Sequence, residues 1–408
     1  MLKRIGVEHL RTGMYLQELC GSWMEHPFWR TAFLLTDAAD ITRIRESGIK
    51  EVWIDTHKGL DIPEGKAKED SDLQVEQELT EVAASAPKPV ERASFAQEMD
   101  RARKICDKSK EAVASMFQEA RMGKALDADE ALPLVEEISS SIMRNPGALL
   151  SLARLKNKDE YTYMHSVAVC ALMIALAKQM GLDETQTRQA GLAGMLHDVG
   201  KMMIPSEILD KPGKLTDEEF FIIKSHPEEG HKLLLEGKNV NEVALDVCIH
   251  HHEKTDGSGY PHKLKNDQIT MFAKMGAVCD VYDAITSNRP YKAGWDPAES
   301  LKKMAEWCKG HFDEKIFQSF VKSVGIYPTG SLVRLESGRL AVVVDQGDKS
   351  LLTPHVRVFF STKSGVYIKP ELIDLARNND KIVAREDAEK WGIKNVEEMW
   401  LSVVGAGS

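Results

Sequence analysis

The order of apolar and polar positions divides the chain into three kinds of segment. In residues 1–60, short apolar runs alternate with turn residues; Asp37 to Ser47 is typical of one helix, and Glu51 to Asp55 of the strand that follows it. From Phe95 to about Val324, apolar residues recur at steps of three and four, which predicts helices. After Pro328, short β-branched runs separated by glycine turns predict strands. The chain is therefore predicted to be mainly α, with a small N-terminal α+β domain and a small C-terminal β appendage.

Two helix starts and three strands can be placed from local signals. Thr216-Asp-Glu-Glu219 and Asp296-Pro-Ala-Glu299 each combine a capping residue with a glutamate three residues later, which is typical of a helix N-terminus. The strands are expected at Leu332-Val333, Leu340 to Val344 and Val356 to Phe360.

The segment between Asp61 and Glu91 has the composition of a solvated linker. It contains nine acidic and three basic residues, no aromatic residue, and a Pro87-Lys-Pro89 pair. The predicted organisation is an accessory α+β domain at 1–60, an acidic linker at 61–94, connecting helices at 95–139, the main helical domain at 140–327 and the β-rich appendage at 328–408.

Composition excludes several classes of function. With 53 basic against 63 acidic residues, the net charge of −10 argues against a broad surface for a DNA or RNA duplex. The longest apolar run, Val167 to Ala177, has eleven residues, whereas a membrane-spanning helix needs about 20, so no membrane insertion is expected. The first residues lack the apolar segment of a signal peptide, and six scattered cysteines form no disulfide framework, which predicts a cytoplasmic protein. No pattern predicts an oligomeric state.

Histidine is unevenly distributed, since eight of the 13 lie between His165 and His262. Several stand next to apolar helical segments: His165 precedes one, His197 and Asp198 end another, and Asp280 lies within a third. Imidazole and carboxylate together suit divalent iron, manganese, cobalt, nickel or zinc, and ligands from different helices can converge inside a bundle. Any one histidine taken alone is better interpreted as a hydrogen-bonded core or surface residue. The set, however, favours a metal site: His165, His197, Asp198, His226, His250, His251, His252 and Asp280.

Longer motifs give these residues a family context. His197-Asp198-Val199-Gly200-Lys201 resembles the His-Asp doublet of HD-superfamily phosphohydrolases, and His251-His252-Glu253-Lys254-Thr255-Asp256-Gly257-Ser258-Gly259-Tyr260-Pro261 resembles the signature of the HD-GYP subgroup. The similarity continues through Asp280-Val-Tyr-Asp283 and Arg289-Pro-Tyr-Lys292, and covers about residues 140–325. The first sixty residues, with Cys20-Gly-Ser-Trp23 and His26-Pro-Phe28, resemble a small domain often found ahead of HD-GYP modules.

The resemblance implies a helical HD-type catalytic domain at 140–327 and a bacterial cyclic di-GMP phosphodiesterase. Such an enzyme opens the cyclic dinucleotide to linear pGpG and, in many members, continues to GMP. It implies two divalent metal ions, iron or manganese first, with magnesium, cobalt, nickel or zinc as alternatives, and Asp198 as the bridge between them. The metal ligands carried over to this chain are His165, His197, Asp198, His226, His251, His252 and Asp280.

The resemblance also implies roles for nearby charged residues. Lys201 would reach the nucleophile or a non-bridging phosphate oxygen, and Arg289 and Lys292 would grip the two phosphates. This local positive charge would offset the overall negative charge. Asp283 would either orient a basic partner or protonate the leaving 3′ oxygen through water, and spacing does not decide between these roles.

The chain departs from part of the family at one position. Some members carry a carboxylate four residues before the first histidine, where it recruits a third metal; here that position is Tyr161, with Asp159 and Glu160 just upstream. Two metals are therefore favoured over three, although either carboxylate would reach the site if the backbone shifted by a residue. His250 is rotated by about 100° from its neighbour along a helix, so we interpret it as a supporting residue outside the ligand set.

The loop Gly259-Tyr260-Pro261 has two interpretations. Asp-Gly followed by Gly and Pro is ordinary turn chemistry. In the family this loop borders the site and is implicated in contacts with GGDEF-type diguanylate cyclases, so Tyr260 is predicted to face a partner or to stack on a base.

Two other functions compete with cyclic di-GMP hydrolysis. One is an HD phosphohydrolase for another cyclic dinucleotide or a nucleoside phosphate, because metal and phosphate chemistry would serve any of these. The other is a catalytically silent module that senses the dinucleotide or docks a cyclase, against which the intact ligand motifs argue. Transcriptional regulation by contacting DNA is disfavoured, since the chain lacks a basic stripe.

Overall fold

The computed structural model describes most of the chain. The described residues are 1–20, 32–63, 65–84, 93–156, 161–209, 211, 213, 215–287, 294–347, 350–394 and 396–401. Several residues singled out from the sequence lie outside them: His26 to Phe28, Asp159, Glu160, Arg289 and Lys292.

The described part of the chain is mainly helical, as predicted. The α-helices in chain order are α1 Ala38–Glu46, α2 Lys68–Ala83, α3 Phe95–Arg121, α4 Leu132–Arg144, α5 Pro146–Arg154, α6 Tyr161–Met180, α7 Glu184–Leu196, α8 Ser206–Leu209, α9 Asp217–Ile223, α10 His226–Leu235, α11 Glu242–His250, α12 Met271–Thr286, α13 Pro297–His311, α14 Glu314–Val324 and α15 Val396–Leu401. The strands are β1 Leu2–Gly6, β2 Tyr15–Cys20, β3 Phe33–Leu34, β4 Glu51–Asp55, β5 Lys66–Ala67, β6 Leu332–Leu335, β7 Arg339–Asp345, β8 His355–Ser361, β9 Val366–Asp374 and β10 Ile382–Arg385.

The first of two compact units comprises Met1–Leu79 together with Lys302–Lys309. Its sheet is antiparallel, in the order β3-β2-β4-β1-β5. Asp37 caps α1 by accepting a hydrogen bond from the Ala39 amide at 2.9 Å. Apolar side chains from the sheet and α1, among them Ile5, Leu16 and Ile44, form its core. The predicted α+β architecture of the N-terminal region is confirmed.

The acidic segment differs from its prediction. The structure has a helix, α2, over Lys68–Ala83, where composition predicts a solvated linker. The reason is a sparse apolar stripe: Val75, Leu79 and Ala83 recur every four residues and are buried, while six of the other thirteen residues of the helix are acidic. Because most of its residues are polar or charged, this amphipathic helix could not be recognised from composition.

The second unit comprises Thr80–Leu301 and Gly310–Ser408, and α6 lies at its centre. Every residue of α6 from Met164 to Ala177 is buried, because this helix packs against neighbours on all sides. Among the described residues, α6 is the one helix that is long and apolar enough to cross a membrane. However, 78% of its most apolar 18-residue stretch is buried inside the protein, as in the core helix of a globular fold. His165 lies inside this helix rather than before it, because the helix begins at Tyr161.

The local signals of this unit are confirmed. Thr216 and Glu219 form a capping box at the start of α9, and Asp296 accepts hydrogen bonds from the Ala298 and Glu299 amides at the start of α13. The three predicted strands correspond to β6, β7 and β8, in an antiparallel sheet of order β10-β6-β7-β8-β9. The C-terminal β appendage is therefore present.

Two glycines allow the backbone segments that carry site residues to approach closely. A Cβ on Gly194 would lie 2.9 Å from the Val169 carbonyl oxygen of α6. A Cβ on Gly200 would overlap the His226 carbonyl oxygen and the Gly230 amide nitrogen of α10. Because both glycines lack a Cβ, the end of α7 and the 3-10 turn after it pack directly against α6 and α10.

Gly200→Ala is expected to push this turn away from α10, because the new methyl group has no space. Overpacking of this kind lowers the free energy of unfolding by about 1–3 kcal/mol, and denaturant unfolding measures it. Met203→Ala is the matched control: its side chain, in the same turn, is 46% exposed, so a change within about 0.5 kcal/mol is expected. Wild-type stability of Gly200→Ala would contradict the close approach.

Candidate metal centre

Five imidazoles and two carboxylates from separate elements meet in the interior of the second unit. His165 comes from α6, His197 from the C-terminal end of α7, and Asp198 begins the 3-10 turn that follows. The other four are His226, the first residue of α10, His251 and His252 after α11, and Asp280 of α12. Six of the seven are buried, and His252 is half-buried.

The first group of possible ligand atoms lies between α6, α7 and α12. The Nε2 atoms of His165 and His197 are 3.3 Å apart. Asp280 Oδ1 lies 3.0 Å from His165 Nε2 and 3.9 Å from His197 Nε2. These three residues therefore present three donor atoms to one small volume.

The second group lies between α10 and the end of α11. The Nε2 atoms of His226 and His251 are 3.3 Å apart, and the His252 ring centroid lies 4.1 Å from that of His251 and 5.1 Å from that of His226. Donor atoms of the three histidines converge within metal-binding reach.

The Asp198 carboxylate lies between the two groups. Its Oδ2 atom is 3.2 Å from His165 Nε2 and 3.3 Å from His197 Nε2. Its Oδ1 atom is 3.3 Å from His226 Nε2 and 3.8 Å from His251 Nε2. Each oxygen of one carboxylate thus faces a different group of imidazoles.

Hydrogen bonds set which ring nitrogen faces the centre. The Nδ1 atoms of His197, His226 and His251 lie 2.8, 2.7 and 2.9 Å from the carbonyl oxygens of Gly194, Ile223 and Cys248. A carbonyl oxygen only accepts, so Nδ1 carries a proton and Nε2 faces the centre, where its lone pair is available to a metal ion whenever Nε2 itself is not protonated. His165 Nδ1 donates in the same way to Asp283 Oδ2 at 2.6 Å.

The donor set fits a metal ion. Asp198 Oδ1 and Asp280 Oδ2 are buried and have no hydrogen-bond partner among the described residues, although an unpaired buried carboxylate oxygen is costly. The Nε2 lone pairs of neighbouring rings also face each other at 3.3 Å, which is repulsive unless a cation or a proton lies between them. Nitrogen and oxygen donors of this kind suit divalent iron, manganese, cobalt, nickel or zinc.

The charged groups of the cluster lie close enough together to shift one another's pKa values. Burial opposes the charged form of His197, but the carboxylates of Asp198 and Asp280 outweigh it and raise its pKa to about 10. Burial and the positive charge of His197 lower the pKa of His251 to about 3. Despite burial, Lys201 and the histidines hold the pKa of Asp198 well below its usual value. Lys201 and the protonated His197 thus keep the carboxylates ionised, and a divalent cation bound at His197 would take the place of the proton on its ring.

Lys201 and His250 are found in different surroundings. The Lys201 ammonium group donates a hydrogen bond to Asp198 Oδ2, and its side chain is 21% exposed, so it lies at the edge of the cluster. His250 points away: its ring nitrogens contact Asp246 Oδ1 at 2.8 Å and His262 Nδ1 at 3.0 Å. His250 thus lies outside the two groups of possible ligand atoms.

Sequence reasoning missed Lys156. Its side chain is fully buried, and its ammonium group donates hydrogen bonds to Asp283 Oδ2 and, at 2.8 Å, to Ser287 Oγ. Asp283 in turn accepts from His165, so Lys156 holds the carboxylate that orients a possible ligand. A lysine 127 positions away from Asp283 along the chain gives no local signal of this contact.

Replacing Lys156 alone, and Lys156 together with Asp283, tests whether this pair holds the His165 ring in place. Lys156→Met alone leaves a buried carboxylate without its cation, so the free energy of unfolding is expected to fall by about 3–5 kcal/mol. Lys156→Met with Asp283→Leu removes both charges and is expected to restore most of the stability. The double variant also removes the carboxylate that accepts the His165 Nδ1 hydrogen bond. Its affinity for Mn²⁺ should therefore fall roughly 10–100-fold. Denaturant unfolding and Mn²⁺ titration measure the two effects; wild-type Mn²⁺ affinity in the double variant would contradict the anchoring role.

Two family profiles match the chain. One, described as "HD domain", matches residues 146–316, a range that contains all seven possible ligands. The other, described as "Domain of unknown function (DUF3391)", matches residues 2–131. The candidate metal centre therefore lies entirely within the HD-domain match.

Relatives that are named as phosphodiesterases match the chain over different lengths. The "Cyclic di-GMP phosphodiesterase PA4108" of Pseudomonas aeruginosa is 56% identical over 406 residues, which cover 99% of this chain and 96% of the relative. The "Cyclic di-GMP phosphodiesterase response regulator RpfG" of Xanthomonas campestris is 45% identical over 29% of this chain and 32% of its own. The "3'3'-cGAMP-specific phosphodiesterase 1" of Vibrio cholerae is 34% identical over 46% of this chain and 42% of its own. Since the first relative matches along nearly the whole of both chains, this chain belongs to the HD-GYP family of HD-domain proteins.

Proposed function

We propose that this protein is a metal-dependent phosphodiesterase that hydrolyses cyclic di-GMP to linear pGpG, with GMP as the alternative final product. The observation that carries the proposal is the Asp198 carboxylate, whose two oxygens face two groups of imidazoles that adjoin where the ring centroids of His197 and His251 are 4.9 Å apart. A carboxylate in this position suits a pair of ions rather than one. The relative that matches 99% of the chain is a cyclic di-GMP phosphodiesterase.

We assign two ions to the site. His165, His197 and Asp280 would hold one, His226, His251 and His252 the other, and Asp198 would contact both. When bound, two such ions lower the pKa of a water nucleophile and offset the charge of the phosphodiester during in-line attack. Iron or manganese are favoured, and magnesium, cobalt, nickel or zinc are alternatives. Tyr161 occupies the position at which a carboxylate would recruit a third ion, and its ring stacks on His165 with centroids 5.9 Å apart.

Residues of the protein would orient the metal ligands and bind the phosphates of the substrate. Nδ1 hydrogen bonds to fixed acceptors hold four of the imidazole rings in place. Lys201, at the exposed edge of the cluster, is positioned to stabilise negative charge on a phosphate oxygen. Arg289 and Lys292 are proposed to grip the phosphates.

The contacts of Asp283 favour one of its two predicted roles. Its Oδ2 atom accepts from His165 and Lys156, and its Oδ1 atom accepts from Ser287 at 3.3 Å. Because both oxygens are engaged and the group is buried, orienting a basic partner is favoured over protonating the leaving 3′ oxygen.

The proposal also includes a cellular location and a protein partner. All six cysteines are free thiols, as expected in a reducing compartment, which supports a cytoplasmic location. A GGDEF-type cyclase is a candidate partner of the loop Gly259-Tyr260-Pro261, and the exposed residues Ser258 and His262 beside it are the side chains that such a partner would contact.

Product analysis with several cyclic dinucleotides tests the function. Full-length protein, purified anaerobically and loaded with Mn²⁺ or Fe²⁺, is expected to convert cyclic di-GMP faster than 3′3′-cGAMP, with pGpG appearing before GMP in chromatography. Preferential cleavage of 3′3′-cGAMP would assign the substrate of the Vibrio cholerae relative instead. Tight binding of cyclic di-GMP without turnover, in protein shown to contain metal, would favour a sensor.

Substitutions separate metal binding from substrate binding. His197→Ala and Asp198→Ala are expected to abolish both the bound metal and hydrolysis, because each removes a ligand. Arg289→Ala is expected to keep the metal content and raise KM, because it removes a phosphate contact. Metal analysis by mass spectrometry and steady-state kinetics measure these effects. Full activity of metal-depleted Asp198→Ala would contradict the mechanism.

A further inference from the structure

One imidazole of the metal centre lacks the anchor that the other four have. The rings of His165, His197, His226 and His251 each donate an Nδ1 hydrogen bond to a fixed acceptor. Among the described residues, the His252 ring has no such hydrogen bond; its nearest charged neighbour is Asp280 Oδ2, 3.8 Å from Nδ1. His252 is also the one histidine of the five that is not fully buried. Something other than a hydrogen bond must therefore orient this ring.

The Tyr260 ring lies against the face of His252. The two ring centroids are 4.7 Å apart, and the planes are inclined by 24°, which is a stacked arrangement. The Lys224 ammonium group lies 5.1 Å from the centroid of the Tyr260 ring and 4.6 Å from that of Phe220. Tyr260 is thus held between a cation and a possible metal ligand.

Backbone contacts fix Tyr260 in this place. The Tyr260 amide donates to the His252 carbonyl oxygen at 3.2 Å. A Cβ on Gly259 would be 2.5 Å from Glu253 Cα and 2.6 Å from the His252 carbonyl oxygen, so only glycine allows the loop to lie flat on the ligand segment.

The side chain of Glu253 closes the loop on its other side. This residue is 2% exposed, and its two carboxylate oxygens accept from the His262 and Leu264 amides at 2.7 and 2.9 Å. Charge-assisted hydrogen bonds of this kind are about twice as strong as neutral ones. The residue next to His252 therefore ties down the far end of the loop that carries Tyr260.

We propose that Tyr260 is a positioning residue that orients His252 as a metal ligand by ring stacking. The inference rests on the proposed metal centre and explains what the Gly-Tyr-Pro loop does inside the molecule. Gly259 allows the close approach, Tyr260 supplies the stacking face, and Glu253 holds the loop closed. The loop acts on the one imidazole of the five for which the described part of the chain provides no Nδ1 hydrogen bond, independently of any partner.

Mn²⁺ binding to metal-depleted full-length protein tests the proposal without a nucleotide. Tyr260→Phe keeps the stacking ring, so its Mn²⁺ affinity is expected within about threefold of wild type. Tyr260→Leu removes the ring, so the affinity for one of the bound ions should fall roughly 10–100-fold. Free Mn²⁺ measured by electron paramagnetic resonance gives both affinity and stoichiometry, and circular dichroism verifies the fold of each variant.

A double-substitution cycle with His252→Ala shows whether Tyr260 acts through this ligand. Tyr260→Leu is expected to cause no further loss of Mn²⁺ affinity when His252 is absent. Ser258→Ala, in the same loop with a hydroxyl that bonds Asp256, is the control and should bind Mn²⁺ as wild type does. Wild-type affinity of Tyr260→Leu, equal losses in Tyr260→Phe and Tyr260→Leu, or an undiminished loss in the His252→Ala background would each overturn the proposal. Failure to hydrolyse cyclic di-GMP would reject the proposed function and leave this result intact.

Discussion

The organisation of the site depends on one buried carboxylate that faces two groups of imidazoles. Asp198 is fully buried, and its two oxygens point to His165 and His197 on one side and to His226 and His251 on the other. A buried anion in such surroundings is stable only if cations compensate it. Lys201 supplies one such charge, and the neighbouring elements present imidazole Nε2 atoms to which divalent ions would bind.

Much of the surrounding fold serves to bring these elements together. The end of α7 approaches α6 and α10 closely because Gly194 and Gly200 carry no side chain. The outward nitrogens of four rings are held by carbonyl oxygens or by Asp283, and the fifth ring is stacked on Tyr260. The possible ligand atoms are thus oriented by the fold itself, which would lower the cost of binding an ion.

The sequence singled out the seven residues that the fold brings together, but it gave little indication of the residues that support them. His197-Asp198 and His251-His252 lie in long local motifs, and the helices that carry them show clear apolar periodicity. Lys156 and Glu253 were missed because their partners, a carboxylate far along the chain and two loop amides, are set by tertiary packing. The helix over Lys68–Ala83 was missed because its three buried positions are outnumbered by charged residues. The local sequence pattern predicts which residues are buried and which belong to a motif. Pairs of residues that are far apart along the chain can be identified only from the packed fold.

The most direct test of the central claim is anomalous diffraction from crystals of the full-length protein grown with Mn²⁺. The account predicts two anomalous peaks, one beside each group of imidazoles, with the Asp198 carboxylate in contact with both. A single peak, or two peaks neither of which contacts Asp198, would contradict it.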